Sequence, residues 1–174
     1  LFVASWVLWI ILDLRVPREQ PAHSSSKLGK ASWAILWLVV LQCIYGAFMA
    51  GTRAGYLYDT FPTLNGEWIP TGLTAMNPLS HPTSIHFIHR VLAWLTAASV
   101  IFFWWKVRRE ASKKQKVGAL DSVYAVAIQF LLGVFTVVFN MPITLAVAHQ
   151  GGGALLLSAA LVNVHVWAPK REIA

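Results

Sequence analysis

Charge is what this chain has least of. Only 12% of its 174 residues are Asp, Glu, Lys or Arg, roughly half the share of an ordinary soluble domain. The shortfall is mostly acidic, with seven carboxylates against fourteen basic residues and a formal net charge of +7. Asp13 and Asp121 fall near the inner ends of apolar runs, and Asp59 and Glu67 fall in a polar loop. That leaves too few carboxylates at membrane depth for a carboxylate-rich ion site or a di-iron site. Cysteine is nearly absent too. Cys43, the single one, can form no internal disulfide and has no Cys partner for a metal centre. Inside an apolar run, it reads as a small buried hydrophobe. Leu1–Leu12 lacks the basic flank before it and the small-residue cleavage pattern after it that mark a signal peptide. It reads as the end of a transmembrane helix, and the chain as an N-terminally truncated fragment.

What the chain has is apolar surface: 57% apolar residues, nine Trp and a mean hydropathy of +0.59. This is a membrane protein by composition. In a soluble protein a charge of +7 would suggest nucleic acid; here basic residues collecting in cytoplasmic loops are the simpler cause, and no nucleic-acid partner is expected. Four runs approach the ~20 residues needed to cross a bilayer: Trp33–Thr52, Ile85–Trp105, Ala119–Phe139 and Ala146–Trp167. The expected fold class is an all-α integral membrane protein, a four-helix transmembrane bundle plus the end of a preceding helix. Its expected divisions are a helix end at 1–14, a cytoplasmic or matrix linker at 15–32, the bundle at 33–168 and a tail at 169–174. A loop from Arg53 to Thr83 is rich in Pro, Gly, Thr and Asn, 106–118 is strongly basic, and Asn140-Met141-Pro142 reads as a tight turn.

Twelve of the fourteen Lys and Arg lie in the linker, the Lys106–Lys116 loop and the tail. Four spans put those segments on one side, which is then the cytoplasmic or matrix side. Arg53 and Arg90 fall at the opposite face. Either they snorkel to lipid head groups or they bind something anionic there. Small residues punctuate the spans, among them Gly46, Gly51, Gly133 and Gly151 to Gly153. They let helices approach closely, and beside a histidine they also make room for a flat cofactor.

His89 and His149 each lie about one turn inside a span, and both spans run from outside to inside, so their depths match. An ionisable residue inside a membrane is a functional candidate. Three readings stand on the residues alone: a haem or metal pair, structural hydrogen bonding, or a proton or ion path. Neutral imidazole is a common ligand, and helix-borne ligands projecting into a bundle core are a usual construction. His86 precedes His89 by three residues on the same helical face and would act beside the pair. His81 falls in the outer loop, His23 in the linker, and His165 near the inner end, far from the pair, where it reads as interfacial. A haem carries two propionates that prefer an aqueous edge, and Arg suits bidentate carboxylate pairing. Arg90 and Arg53 are therefore candidates to meet them, and Phe87 and Trp94 either pack on the macrocycle or face lipid.

The ordered motifs resemble the haem A synthase family. They are Gly46-Ala47-Phe48-Met49-Ala50-Gly51-Thr52-Arg53-Ala54-Gly55, Tyr58-Asp59-Thr60-Phe61-Pro62, Phe87-Ile88-His89-Arg90, Gln129-Phe130-Leu131-Leu132-Gly133 and His149-Gln150. The resemblance implies an eight-helix protein of two similar four-helix halves, this chain being the second half. It implies oxidation of a methyl group of haem O to the formyl group of haem A, with haem O the substrate of the full-length protein. It implies a cofactor haem b whose iron is held by His89 and His149, with Arg90, Arg53 and His86 around it. The first half of the family carries Glu-x-x-His-Arg; His86 stands at the glutamate's place here, so no catalytic residue is expected in this chain and the fragment alone is expected to be inactive. The resemblance further implies a bacterial cytoplasmic membrane or mitochondrial inner membrane, with haem O synthase and cytochrome oxidase assembly factors as partners. The alternative is a bis-histidine cytochrome b-like electron-transfer module without its own catalysis. A transporter ranks last, because polar residues deep in the spans are scarce.

Overall fold

The computed structural model describes residues 1–16 and 25–168. Arg18 and His23 of the expected linker and the tail at 169–174 lie outside the described residues. Five helices form: α1 (Phe2–Arg15), α2 (Ser25–Gly51), α3 (Pro82–Glu110), α4 (Lys113–Val138) and α5 (Ile143–Trp167). The last four are long and apolar enough to cross a membrane. Short 3₁₀ turns at Ala54–Tyr56 and Leu73–Ala75 punctuate the outer loop.

The helices overrun the apolar spans at their inner ends. Residues 25–32, expected in the linker, open α2, and residues 113–118, expected in the basic loop, open α4. The physical reason is that apolarity marks the thickness of the bilayer, whereas Lys, Gln, Ala and Ser sustain a helix beyond it. The start of α4 is set by a capping box. Ser112 accepts from the Gln115 backbone N–H at 3.4 Å, and the Gln115 side chain accepts from the Ser112 backbone N–H at 3.0 Å. On the outer side, α4 ends with Asn140 and Met141 both left-handed, at φ 57° and 60°. The Met141 N–H donates to the Thr136 carbonyl at 2.7 Å, closing the turn as helix C-termini commonly do.

Neighbouring helices pack in a closed ring, α2 on α3, α3 on α4, α4 on α5 and α5 on α2. The two histidine-bearing helices therefore stand on a diagonal. The tight core lies in the inner half, where Leu36, Val39, Val100, Val126, Leu157 and Val164 interlock. Cys43, expected to be buried, is half-buried and packs at the edge of this cluster. The outer half is looser: Gly46, His89, Gln129, Gly133, His149 and Gly152 all keep partial exposure. α1 docks on α5 at the inner end. There His165, expected at the interface, is fully buried, and its Nε2 lies 2.9 Å from Asp13 Oδ1 while Trp9 meets its ring edge-on. A helix that supplies the carboxylate turns an exposed position into a buried one, which the α5 sequence by itself does not reveal.

The orientation is testable. With the full-length protein in sealed vesicles, an impermeant thiol reagent should reach Lys113→Cys only from the inner side and Leu79→Cys only from the outer side. Labelling of Lys113→Cys from outside would reverse the bundle.

Candidate functional site

His89 lies seven residues past the start of α3 and His149 six past the start of α5, so the two rings sit at matching depth. Their ring centres are 6.5 Å apart and their planes are nearly perpendicular, at 82°. Two imidazoles on one iron, at a metal–nitrogen length of about 2 Å plus about 1 Å from nitrogen to ring centre on each side, place those centres roughly 6 Å apart. The observed separation fits a haem within a fraction of an ångström.

Glycine makes that approach possible. A Cβ added at Gly133 would sit 2.8 Å from His149 Cε1, and one added at Gly46 would sit 3.4 Å from His89 Cε1. Each histidine thus rests on a glycine of the preceding helix in the chain, α3 on α2 and α5 on α4. One turn before each glycine stands a glutamine. The Gln42 Nε2 lies 3.3 Å from both His89 ring nitrogens. Gln129 sits beside the His149 ring and packs under Gly152 and Gly153. Three polar atoms here are buried and have no hydrogen-bond partner: Gln42 Oε1, Gln129 Oε1 and His149 Nδ1. Unsatisfied groups in an apolar surround are costly, and a bound polar group is one way to satisfy them.

The outer loop is tied to the start of α3 at His86 and Arg90. His86 is fully buried; its Nδ1 donates to the Ala54 carbonyl at 2.9 Å and its Nε2 accepts from Arg90 Nε at 2.9 Å. Both ring nitrogens are occupied, so His86 has no lone pair left for iron. The Arg90 guanidinium also donates to the Thr63 carbonyl at 2.9 Å and the Tyr58 carbonyl at 3.5 Å. Three of its five N–H groups are used and two remain. Thr63 leads into a small turn at Asn65-Gly66, closed by Leu64 and Glu67 bonding to each other at 2.8 and 3.2 Å. Its two central residues are left-handed, at φ 50° and 96°, as a type I′ turn demands. Arg53 precedes Ala54, the residue whose carbonyl holds His86, and its side chain is exposed at the outer end. Met141 fills the space beside Gly55, where an added Cβ would meet it at 2.8 Å, so the two outer connections are locked together.

Among the described residues, no group of three or more His, Cys, Asp and Glu comes together. A bare ion commonly needs about four protein or water donors, whereas a haem needs one or two from the protein because the macrocycle supplies the rest. The two imidazoles, their glycine rests and the unpartnered atoms beside them fit a haem.

The COX15-CtaA family model, described as cytochrome oxidase assembly protein, matches residues 1–161. The chain belongs to the COX15-CtaA family. It is 36% identical over 164 residues to "Heme A synthase" of Parvibaculum lavamentivorans, covering 91% of this chain and 46% of that protein. It is 36% identical over 172 residues to "Heme A synthase" of Rhizorhabdus wittichii, covering 95% and 48%. With "Heme A synthase COX15" of Bos taurus it shares 34% over 163 residues, covering 88% and 39%. The chain spans less than half the length of these curated relatives. No solved structure matches it. Bacterial and bovine relatives together with four membrane-length helices make this COX15-CtaA chain an integral protein of the bacterial cytoplasmic or mitochondrial inner membrane.

Of the residues singled out in the COX15-CtaA sequence, the structure brings His89 and His149 together and ties His86 to Arg90. Trp94 is spent elsewhere: it stacks on Phe61 at 5.9 Å and meets Phe130 at 4.7 Å, half-exposed on the α3–α4 face. His165 stands apart at the inner end. Gln42 does not stand out in the sequence, and Gln129 does so only within its motif. The signal was present in the chain as a repeated Gln-x-x-x-Gly on α2 and α4, an amide and a glycine one turn apart in otherwise apolar helices.

Proposed function

We propose that this chain is the haem-holding half of an oxidoreductase of haem A biosynthesis, with His89 and His149 as the axial ligands of one b-type haem. The observation that carries the reading is the 6.5 Å approach of the two rings across the bundle diagonal. When bound, a haem supplies one-electron redox chemistry. The chain's own residues hold and shield it. His89 and His149 fix it between two helices of equal depth, and Gly46 and Gly133 set how far each ring can retreat. The outer loop, tied to the start of α3, lies at the aqueous end. Arg90, with two free N–H groups, and exposed Arg53 would be the residues to meet the propionates there. His86 contributes by holding Arg90 in place. The full-length protein oxidises the haem O methyl group to the formyl group of haem A, with its catalytic residues outside this half, and works beside haem O synthase and cytochrome oxidase assembly factors.

The test is a chromatographic profile of the haems in cells that rely on the full-length protein. His89→Ala should accumulate haem O at the expense of haem A. Haem A at the wild-type level would refute the assignment, and unchanged conversion with loss of the haem spectrum would favour a separate electron-transfer module.

The arginines have their own test. Arg53→Ala removes an exposed side chain without disturbing the fold, and it should weaken haem retention a few-fold, since an exposed ion pair is worth at most about 1 kcal/mol. Arg90→Ala should cost about tenfold or more, because a part-buried charged hydrogen bond is worth about 1.5–3 kcal/mol. Both should keep an axially ligated spectrum. Haem titration showing wild-type affinity in both variants would remove the propionate role.

A further inference from the structure

The inner end of α3 carries three cations laid on its own aromatic rings. Lys106 Nζ lies 5.4 Å from the centre of the Phe102 ring and 4.9 Å from that of Trp105. The Arg109 guanidinium lies 4.8 Å from the Trp105 ring, and that of Arg108 lies 5.3 Å from Trp104. All are within the range of a cation–π contact. Each cation covers the ring four residues before it, because helical side chains lean toward the N-terminus. At this end of α3 the N-terminal direction is the bilayer direction. A lysine or arginine at the end of a span ordinarily extends the other way, out of the apolar layer and into water. Here the cations are held back at the depth of the rings, and tryptophan marks the level of the lipid head groups.

Lys106 and Arg109 share one indole, that of Trp105. Two like charges on one ring repel, and a ring face offsets little of that at an exposed site, so the pair needs an anion. Among the described residues no carboxylate pairs with either cation. Phe103 and Val107 turn inward to pack with Ala119 and Trp167. The neighbouring face of α3 looks outward: Phe102 is 60% exposed, and Lys106 and Arg109 are exposed too. Residues 106–116 hold six Lys and Arg against one acidic residue, Glu110, so the field at this end draws anions.

We infer that Phe102, Trp105, Lys106 and Arg109 form a binding site for the head group of an anionic phospholipid of the inner leaflet. The Arg109 fork and the Lys106 ammonium donate to the phosphate oxygens. The two rings give apolar surface to the glycerol and the first carbons of the acyl chains, which a free phosphate ester would leave unused. The site lies at the far end of α3 from His89 and is independent of the iron.

The experiment is native mass spectrometry of the full-length protein released from nanodiscs of phosphatidylcholine and phosphatidylglycerol in equal parts. Wild-type protein should retain phosphatidylglycerol in preference. Replacing both cations, Lys106→Gln with Arg109→Gln, should cut that preference roughly 10- to 30-fold. Lys27→Gln with Lys30→Gln removes the same charge from the inner end of α2 and should leave the preference near wild type. Trp105→Leu keeps every charge and should still weaken retention; it decides the matter if the double variant does not assemble. Equal retention of the two lipids by wild type, equal losses in the two double variants, or wild-type retention in Trp105→Leu would each overturn the site and leave only a diffuse field. Displacement of the lipid by soluble glycerol 3-phosphate would overturn the lipid assignment in favour of a free phosphate ester.

Discussion

Replacing either His89 or His149 by alanine in the full-length protein is expected to abolish the low-spin haem spectrum contributed by this half. An axial ligand is the strongest contact the protein makes to a haem iron, and the two histidines are not interchangeable because they reach the site from opposite corners of the ring of helices. Loss of a supporting group beside a metal ligand costs roughly 10- to 100-fold in affinity, so loss of the ligand itself should exceed about 100-fold. Alanine also leaves room that no neighbouring imidazole can fill. His86, one turn away, cannot step in, because Ala54 and Arg90 occupy both its nitrogens. His165 cannot either, being paired with Asp13 at the inner end. His165→Ala should therefore keep the low-spin bands, as should His86→Ala, even though the latter loosens the outer loop. Optical spectra and haem content per polypeptide decide this. A normal spectrum in either His89→Ala or His149→Ala would remove that residue from the iron.

The second large effect separates two glycines that look alike in sequence. Gly133→Ala should cut haem affinity sharply, whereas Gly46→Ala should leave it near wild type. Alanine is favoured over glycine in a helix by about 1 kcal/mol. Against that gain stands the contact the new methyl makes. At Gly133 it would lie 2.8 Å from His149 Cε1, closer than carbon atoms can rest, and the ring must shift. Forcing a group into a filled space costs typically 1–3 kcal/mol, or roughly 5- to 150-fold in binding. At Gly46 the same methyl would lie 3.4 Å from His89 Cε1, at the near edge of ordinary contact, and the helix gain offsets it. Haem titration of the two variants gives the comparison, and thermal unfolding shows whether both remain folded. Equal losses at both positions would mean that the glycines serve helix packing rather than the rings.

The polar network around the pair was the least legible part of the sequence. Residue order gives His86 three positions before His89 and so the same face of α3, which is why it read as a neighbour of the iron. Its partners are instead Ala54, thirty-two positions away, and Arg90. Arg90 read as free to meet an anion, and it does carry two free N–H groups. Its other three are committed to His86 and to loop carbonyls that no local pattern announces. The linker ended earlier than expected for a different reason, since a polar stretch is not a non-helical one. The Ser112–Gln115 capping box was visible as Ser-x-x-Gln and marks where α4 begins.

The sequence by itself determined the class of protein, the number of spans and the matching depth of the two histidines. Those are properties of position along a helix axis, and run length, basic loops and residue spacing encode position directly. Only the tertiary structure decided rotation about the axis and distance between helices. The spans are apolar nearly all round, so no stripe shows which face turns inward. That His89 and His149 meet at 6.5 Å, that Gly133 is tight where Gly46 is not, and that the Gln42 amide reaches the His89 ring all depend on contacts between distant segments. Such contacts are fixed by how four side-chain surfaces interlock, and no single stretch of the chain contains that information.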